Sequence, residues 1–151
     1  MSEQENMKIV RTIFDHINSH NLDETDKYLA GDFRSEVSGV SSPMNKEQYR
    51  MYIRRYIDAF PDLHYDLKDV IAQGDRVAVT WVANGTQKAP LTMPNGDSIP
   101  ATQKKGTVSG SSFYEIRNNK ISRQRIYWDQ VDLLSQLGVI KMQDLMSRAS
   151  R

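Results

Sequence analysis

The chain has no cysteine. Disulfides, thiolate metal sites and cysteine nucleophiles are therefore excluded. Histidine is nearly as scarce: His16, His20 and His64 are the only three in 151 residues. The i,i+4 spacing of His16 and His20 can put two ligands on one helix face. No HExxH pattern accompanies them, and His20 falls at a helix end, so no metal site is expected. Charge of one sign is also missing, with 20 Lys+Arg against 19 Asp+Glu and a net charge of +1. Nucleic acid and anionic membranes call for a positive surplus, so neither is expected as a partner. No run approaches the roughly 18 apolar residues of a membrane span. The opening "MSEQENMKIV" has neither a basic n-region nor a long apolar stretch, so no signal peptide is expected and a cytoplasmic location is the working expectation.

What is present reads as one domain over residues 1–151, with a core at about 7–139 and a helical tail at 140–151. The first third has helical period. In "ENMKIVRTIFDHINSH", Met7, Val10, Phe14 and Ile17 recur on one face. "LDETDKYLA" reads as a short second helix closed by Gly31. "MNKEQYRMYIRRYIDAF" reads as a third, capped by Asn45, striped by Tyr49, Tyr52, Ile53, Tyr56 and Ile57, and stopped by Pro61. The period then changes to that of strands in "LHYDLKDVIAQ", "DRVAVTWVANGTQ", "GTVSGSSFYEIR" and "KISRQRIYWD". Gly74-Asp75 and Asn118-Asn119 are hairpin turn chemistry. "KAPLTMPNGDSIPATQKK" holds three of the five prolines and reads as a long loop with a small Asn95-Gly96 turn. "VDLLSQLGVIKMQDLMSRASR" reads as a helix, a glycine break and an amphipathic piece with Met142, Leu145 and Met146 at helical spacing. Helices first and strands afterwards mean α+β with a mostly antiparallel sheet. Long strands must curl, and a curled sheet closed by helices makes a cone with an apolar pocket.

The ordered set "AFPDLHYDLKDVIAQGDRVAVTWVANGTQ", "IPATQKKGTVSG", "YEIRNNKISRQRIYWD" and "LLSQLG" resembles the SnoaL-like polyketide cyclase (ester cyclase) branch of the NTF2-like superfamily, over residues 7 to 139. The resemblance implies an α+β cone with an internal pocket, often a homodimer through the sheet. It implies acid/base proton transfer on a small carbonyl, polyketide-like ligand, as in cyclases and isomerases, with no metal or cofactor. The superfamily also holds non-catalytic small-molecule-binding domains. The position matching the cyclase general acid/base is Asp129. Four departures stand out. Gly85-Thr86-Gln87 replaces a common GTH. Pro100-Ala101-Thr102-Gln103-Lys104 replaces a "PTGK" stretch. Glu36 takes the place of a histidine, and Arg125 that of a tryptophan.

Asp129 has two readings. A carboxylate beside Tyr127 and Trp128 suits proton abstraction if it is partly buried. An Asp just before a helix also suits an N-cap. Strand parity bears on the choice. In a regular strand Ile121, Arg123, Arg125, Tyr127 and Asp129 share one face, and Ser122, Gln124, Ile126 and Trp128 the other. A bulge would exchange the faces partway. The remaining candidates for the pocket are Arg125, Tyr127, Trp81, Gln87, Phe113, Glu36, Phe14 and Tyr56. Trp81 and Phe113 also read as core aromatics. Gln87 also reads as a loop amide and Glu36 as a surface acid.

Overall fold

The computed structural model describes residues 2–93 and 96–141. Helix α1 spans Glu3–Asn18, and the Ser2 hydroxyl accepts its Glu5 N–H at 3.0 Å. Its face of Val10, Ile13, Phe14 and Ile17 is buried, the stripe the spacing predicts. Helix α2 is a short piece, Leu22–Asp26. Helix α3 spans Lys46–Ala59 and starts with a reciprocal capping box between Asn45 and Gln48, each bond 2.9 Å.

The described residues form seven strands: β1 Leu29–Val37, β2 His64–Gln73, β3 Arg76–Thr86, β4 Leu91–Thr92, β5 Ser98–Ile99, β6 Lys105–Arg117 and β7 Lys120–Trp128. The main sheet runs β1-β7-β6-β3-β2, and β4-β5 is a separate small hairpin. Only β1 runs parallel to its neighbour; the other pairings of the main sheet are antiparallel. The hairpins turn at Gly74 and at Asn118-Asn119, all with positive φ, as turn chemistry predicts. Asn95, Met142, Leu145 and Met146, with the tail they belong to, lie outside the described residues.

Strand β1 is a correction to the sequence reading, which ran a second helix up to Gly31. Gly31 and Asp32 are both exposed and interrupt the alternation. The pairing register to β7 shifts between Leu29 and Arg34. A strand broken by a bulge loses the period of two that announces it.

The sheet is curved and open, and α1 and α3 sit in its hollow. Bulges at Lys68 and Ser122 help bend it. Val77, Val79, Trp81 and Ala83 face inward from β3, opposite Tyr114, Ser112, Gly110 and Val108 of β6. The Trp81 ring lies directly over Gly110, where a Cβ would run into it. This close approach of ring to backbone requires glycine. Helix α4, Gln130–Gln136, closes the open end. Gln136 fastens it by exchanging two 2.8 Å hydrogen bonds with the Thr107 backbone. No described helix is long and apolar enough to cross a membrane.

Gly110→Ala should overpack this contact. The expected loss is about 1–3 kcal/mol, read as a Tm roughly 2–4 °C lower per kcal/mol for a chain of this size. An unchanged melting curve would contradict the contact.

Candidate functional site

The hollow of the sheet encloses a cavity between α1, α3, α4 and strands β2, β3, β6 and β7. The space open to the centres of water molecules is ≈ 60 Å³, several times the ~10–15 Å³ that one buried water needs. Its wall is aromatic. Phe14 meets Tyr65 edge-on at 5.6 Å, and Tyr65 meets Trp81 at 5.1 Å. Tyr56 meets Tyr52 at 5.3 Å and Trp128 at 5.6 Å. The helical spacing of Tyr49, Tyr52 and Tyr56 on α3 points all three rings the same way.

No Asp, Glu, Lys, Arg or His lines this cavity among the described residues. Its polar groups are hydroxyls, amides and indole N–H groups. Trp81 Nε1 donates to Ser112 Oγ at 3.0 Å, and Trp128 Nε1 donates to the Tyr52 hydroxyl at 3.0 Å. Gln124 Nε2 donates to the hydroxyls of Tyr114, at 3.2 Å, and Tyr49, at 3.5 Å. Burial pushes the hydroxyls of Tyr49 and Tyr56 up to about 12. Burial likewise raises those of Tyr52, Tyr65 and Tyr114. A phenolate loses its hydration here, and among the described residues no cation lines the cavity to replace it. The site is a set of neutral hydrogen-bonding groups in an apolar cup.

Three of the nine residues proposed from sequence meet in this cup: Phe14, Tyr56 and Trp81. The other six do not line it. Asp129 is exposed and serves as the N-cap of α4, with Oδ1 accepting the Asp132 N–H at 3.0 Å. Ser122 explains this placement. Glu115 pairs with Arg123 but Ile116 with Ile121, so Ser122 is an extra residue in β7. Beyond it Gln124, Ile126 and Trp128 point into the cup. Arg125 and Tyr127 fall on the alternate, outer parity.

On that outer face Phe113 and Tyr127 are about half exposed and touch edge-on, with centroids 6.1 Å apart. Glu36 pairs there with Arg123 at 2.6 Å, half exposed. Gln87 is fully buried, yet it lies away from the cup and holds the long loop. Its Nε2 donates to the carbonyls of Ile99 and Pro100, each at 3.2 Å. Its Oε1 accepts from Thr102 N at 3.2 Å and Thr102 Oγ1 at 2.8 Å.

Sequence reasoning passed over Tyr65, Ser112, Tyr114 and Gln124. A signal for Ser112 and Tyr114 was present: they alternate with Phe113 and lie at even steps from Gly110, the residue opposite Trp81. Gln124 was hidden by the bulge. No group of three or more His, Asp or Glu converges as a metal site among the described residues.

Residues 8–137 match the family model of the SnoaL-like polyketide cyclases. The chain belongs to that family. Its fold agrees. AclR, a proposed hydroxylase from Streptomyces galilaeus, superposes with a TM-score of 0.80 at 17% identity, covering 92% of this chain and 99% of that one. A proposed SnoaL-like polyketide cyclase from Jannaschia sp. CCS1 gives 0.80 at 19% identity, covering 91% and 94%. IdmH from Streptomyces antibioticus, a proposed polyketide cyclase, gives 0.75 at 21% identity, covering 88% and 98%. These superpositions show a shared fold, the NTF2-like cone. No curated protein sequence matches the chain.

The buried tyrosines give a pH signature. Their folded-state pKa values lie above the ordinary 10.0, so the folded form holds their protons more tightly. That stabilisation is complete below pH 10 and is lost as pH rises toward about 12. Phenolate absorbance from Tyr49 and Tyr56 should emerge only as pH nears 12, together with alkaline unfolding. Full tyrosine ionisation near pH 10 in the folded protein would contradict the burial.

Proposed function

We propose that the cone takes a small, neutral carbonyl compound and that the chain performs proton-transfer chemistry on it, as a SnoaL-like cyclase or isomerase. The observation that carries this reading is the uncharged, hydroxyl-bearing cup. An apolar aromatic wall suits a flat ligand. A charged ligand would lose its hydration and meet no counter-charge. A carbonyl can accept from tyrosine hydroxyls, and it gains negative charge when a neighbouring carbon loses its proton. Donors fixed in a dry site favour that change. Ring closure and isomerisation share this first step.

Asp129 is the base that the family resemblance names. It follows Trp128, a cavity residue, and caps a helix whose Leu133 is also a cavity residue. In this reading its carboxylate releases the Asp132 N–H and turns toward ligand at the open end of the cup. One observation favours a second reading, a carrier that binds without turnover: the carboxylate is already engaged as a cap, and among the described residues no other carboxylate and no histidine lines the cup.

One substitution separates the two. Asn caps a helix about as well as Asp, whereas Ala costs about 1 kcal/mol. Asp129→Asn should keep Tm within about 2 °C and still bind ligand, but lose proton abstraction. Deuterium uptake next to the carbonyl of a β-keto ester, followed by NMR, reads that step directly. Equal exchange by wild type and Asp129→Asn places the base elsewhere. Binding without exchange by the wild type establishes the carrier reading.

On family grounds we also infer a homodimer through the outer face of the sheet, which would cover Phe113 and Tyr127. Sedimentation should show wild type as a dimer and Phe113→Lys shifted toward monomer. A monomeric wild type overturns this.

A further inference from the structure

The cup is smaller than a ring-sized ligand requires. Its ≈ 60 Å³ compares with the ~150 Å³ of an apolar cavity that accepts benzene. Part of the wall must therefore yield before a ring enters, and the lining side chains differ in how readily they can. The rings hold one another. Phe14, Tyr65 and Trp81 form one edge-on chain, and Tyr52, Tyr56 and Trp128 form another. Each tryptophan is also fixed by the hydrogen bond from its indole N–H. Ile17, Ile53, Val108 and Ile126 are branched at Cβ, which restricts χ1 in helix and strand alike. Ala83 has no rotamer to change. Among the described lining residues, two aliphatic side chains remain that are unbranched at Cβ: Leu63 and Leu133.

The two leucines meet at one end of the cup. Gly85 of β3 pairs in register with Gly106 of β6, and both glycines line the cavity. Gly106 lies at the start of β6, at the far end of the wall from Ser112 and Tyr114. Leu133 of α4 rests on it, where an added Cβ would come 2.7 Å from the leucine Cδ1. Across the pair, an added Cβ at Gly85 would come 3.1 Å from Phe60 Cβ and 3.4 Å from Leu63 Cα. Both leucines thus close down on bare main chain, an approach that glycine in a strand permits. Leu63 is half-buried and borders both the cup and the solvent. Asp129, the base of the proposed reaction, lies one helical turn before Leu133.

We propose that Leu63 and Leu133 are specificity-determining residues: a two-leucine mouth, seated on the Gly85–Gly106 pair, that swings aside to admit a neutral carbonyl compound with one ring and turns away fused rings. The proposal rests on the reading of the cone as the ligand site and adds its entrance and its size class. Entry takes a rotamer change in a leucine. Widening the cup elsewhere breaks an edge-on ring pair or forces a β-branched side chain off its rotamer. The space already present, with that of a displaced leucine, suits one ring. A second ring meets the interlocked walls.

Acetophenone and 2-acetonaphthone carry the same methyl ketone on one ring and on two fused rings, and they test this on the whole protein. The chain's two tryptophans, Trp81 and Trp128, both line the cup and report binding through their fluorescence. Wild type should bind acetophenone about tenfold more tightly than 2-acetonaphthone. Leu133→Ala should narrow that preference about fivefold or more, and should speed acetophenone association by a similar factor in stopped flow. Leu133→Ile keeps the same atoms but restricts χ1 in the helix, and should slow association about fivefold. A hole anywhere in the wall would admit more ligand, but only a mouth worked by a rotamer slows on this isomeric exchange. If Leu133→Ala does not fold, Leu63→Ala carries the size test. Equal affinity of wild type for both ketones, an association rate unmoved by Leu133→Ile, or a size preference unmoved by the alanine variant overturns the mouth and leaves the cavity reading intact. If wild type binds neither ketone, the cavity reading fails and the mouth falls with it.

Discussion

One extra residue, Ser122, decides which chemistry enters the cone. Without it, β7 would present Ile121, Arg123, Arg125 and Tyr127 to the cup. With it, Ile121 stays inside, and Gln124, Ile126 and Trp128 follow while the arginines turn out. The bulge is held at its own position, since Ser122 Oγ donates to the Glu115 carbonyl at 3.1 Å. Two guanidinium groups in that cup would change its electrostatics completely. The tyrosines would sit beside cations and ionise more readily, and the site would suit anions. The inner lining is neutral because a strand changes face.

The outer face shows the complement of this sorting. Arg123 meets Glu36 and Arg117 meets Asp32 across the sheet, both near or above half exposure. Such pairs contribute little to stability. Their larger effect is to keep charge satisfied on the side where it remains hydrated. The inner side keeps single hydrogen bonds between neutral groups, which are strengthened by the low dielectric around them.

Much of the architecture was legible in the sequence, where period and turn chemistry are local. Helices α1 and α3, the hairpins at Gly74 and Asn118-Asn119, and the four long strands follow from apolar spacing and positive-φ residues. Strand β1 was not legible, because Gly31 and Asp32 interrupt its alternation and its partner β7 is distant in sequence. The site was legible in part, through Phe14, Tyr56 and Trp81. Gln124, Arg125 and Asp129 could not be placed, since their facing depends on how β7 registers against Glu115 and Ile116. That register is a tertiary property, and a single slip exchanges the two faces. Gln87 was recognised as a departure from relatives, but its role lies in bonds to Ile99, Pro100 and Thr102, which no local pattern announces.

Those bonds have an evolutionary consequence. The connection from β3 to β6 is long, and most of what Gln87 grips is main chain: two carbonyls and one N–H, with the Thr102 hydroxyl as the exception. Main-chain partners are the same for almost any residue. Substitutions at positions 99 and 100 therefore keep the clasp's main-chain partners, whereas loss of the amide at 87 leaves two carbonyls and one N–H without their side-chain partner. Among its own described side chains Leu91 is the one that enters the core, 1% exposed, so the segment is tied to the cone by one apolar anchor and one amide.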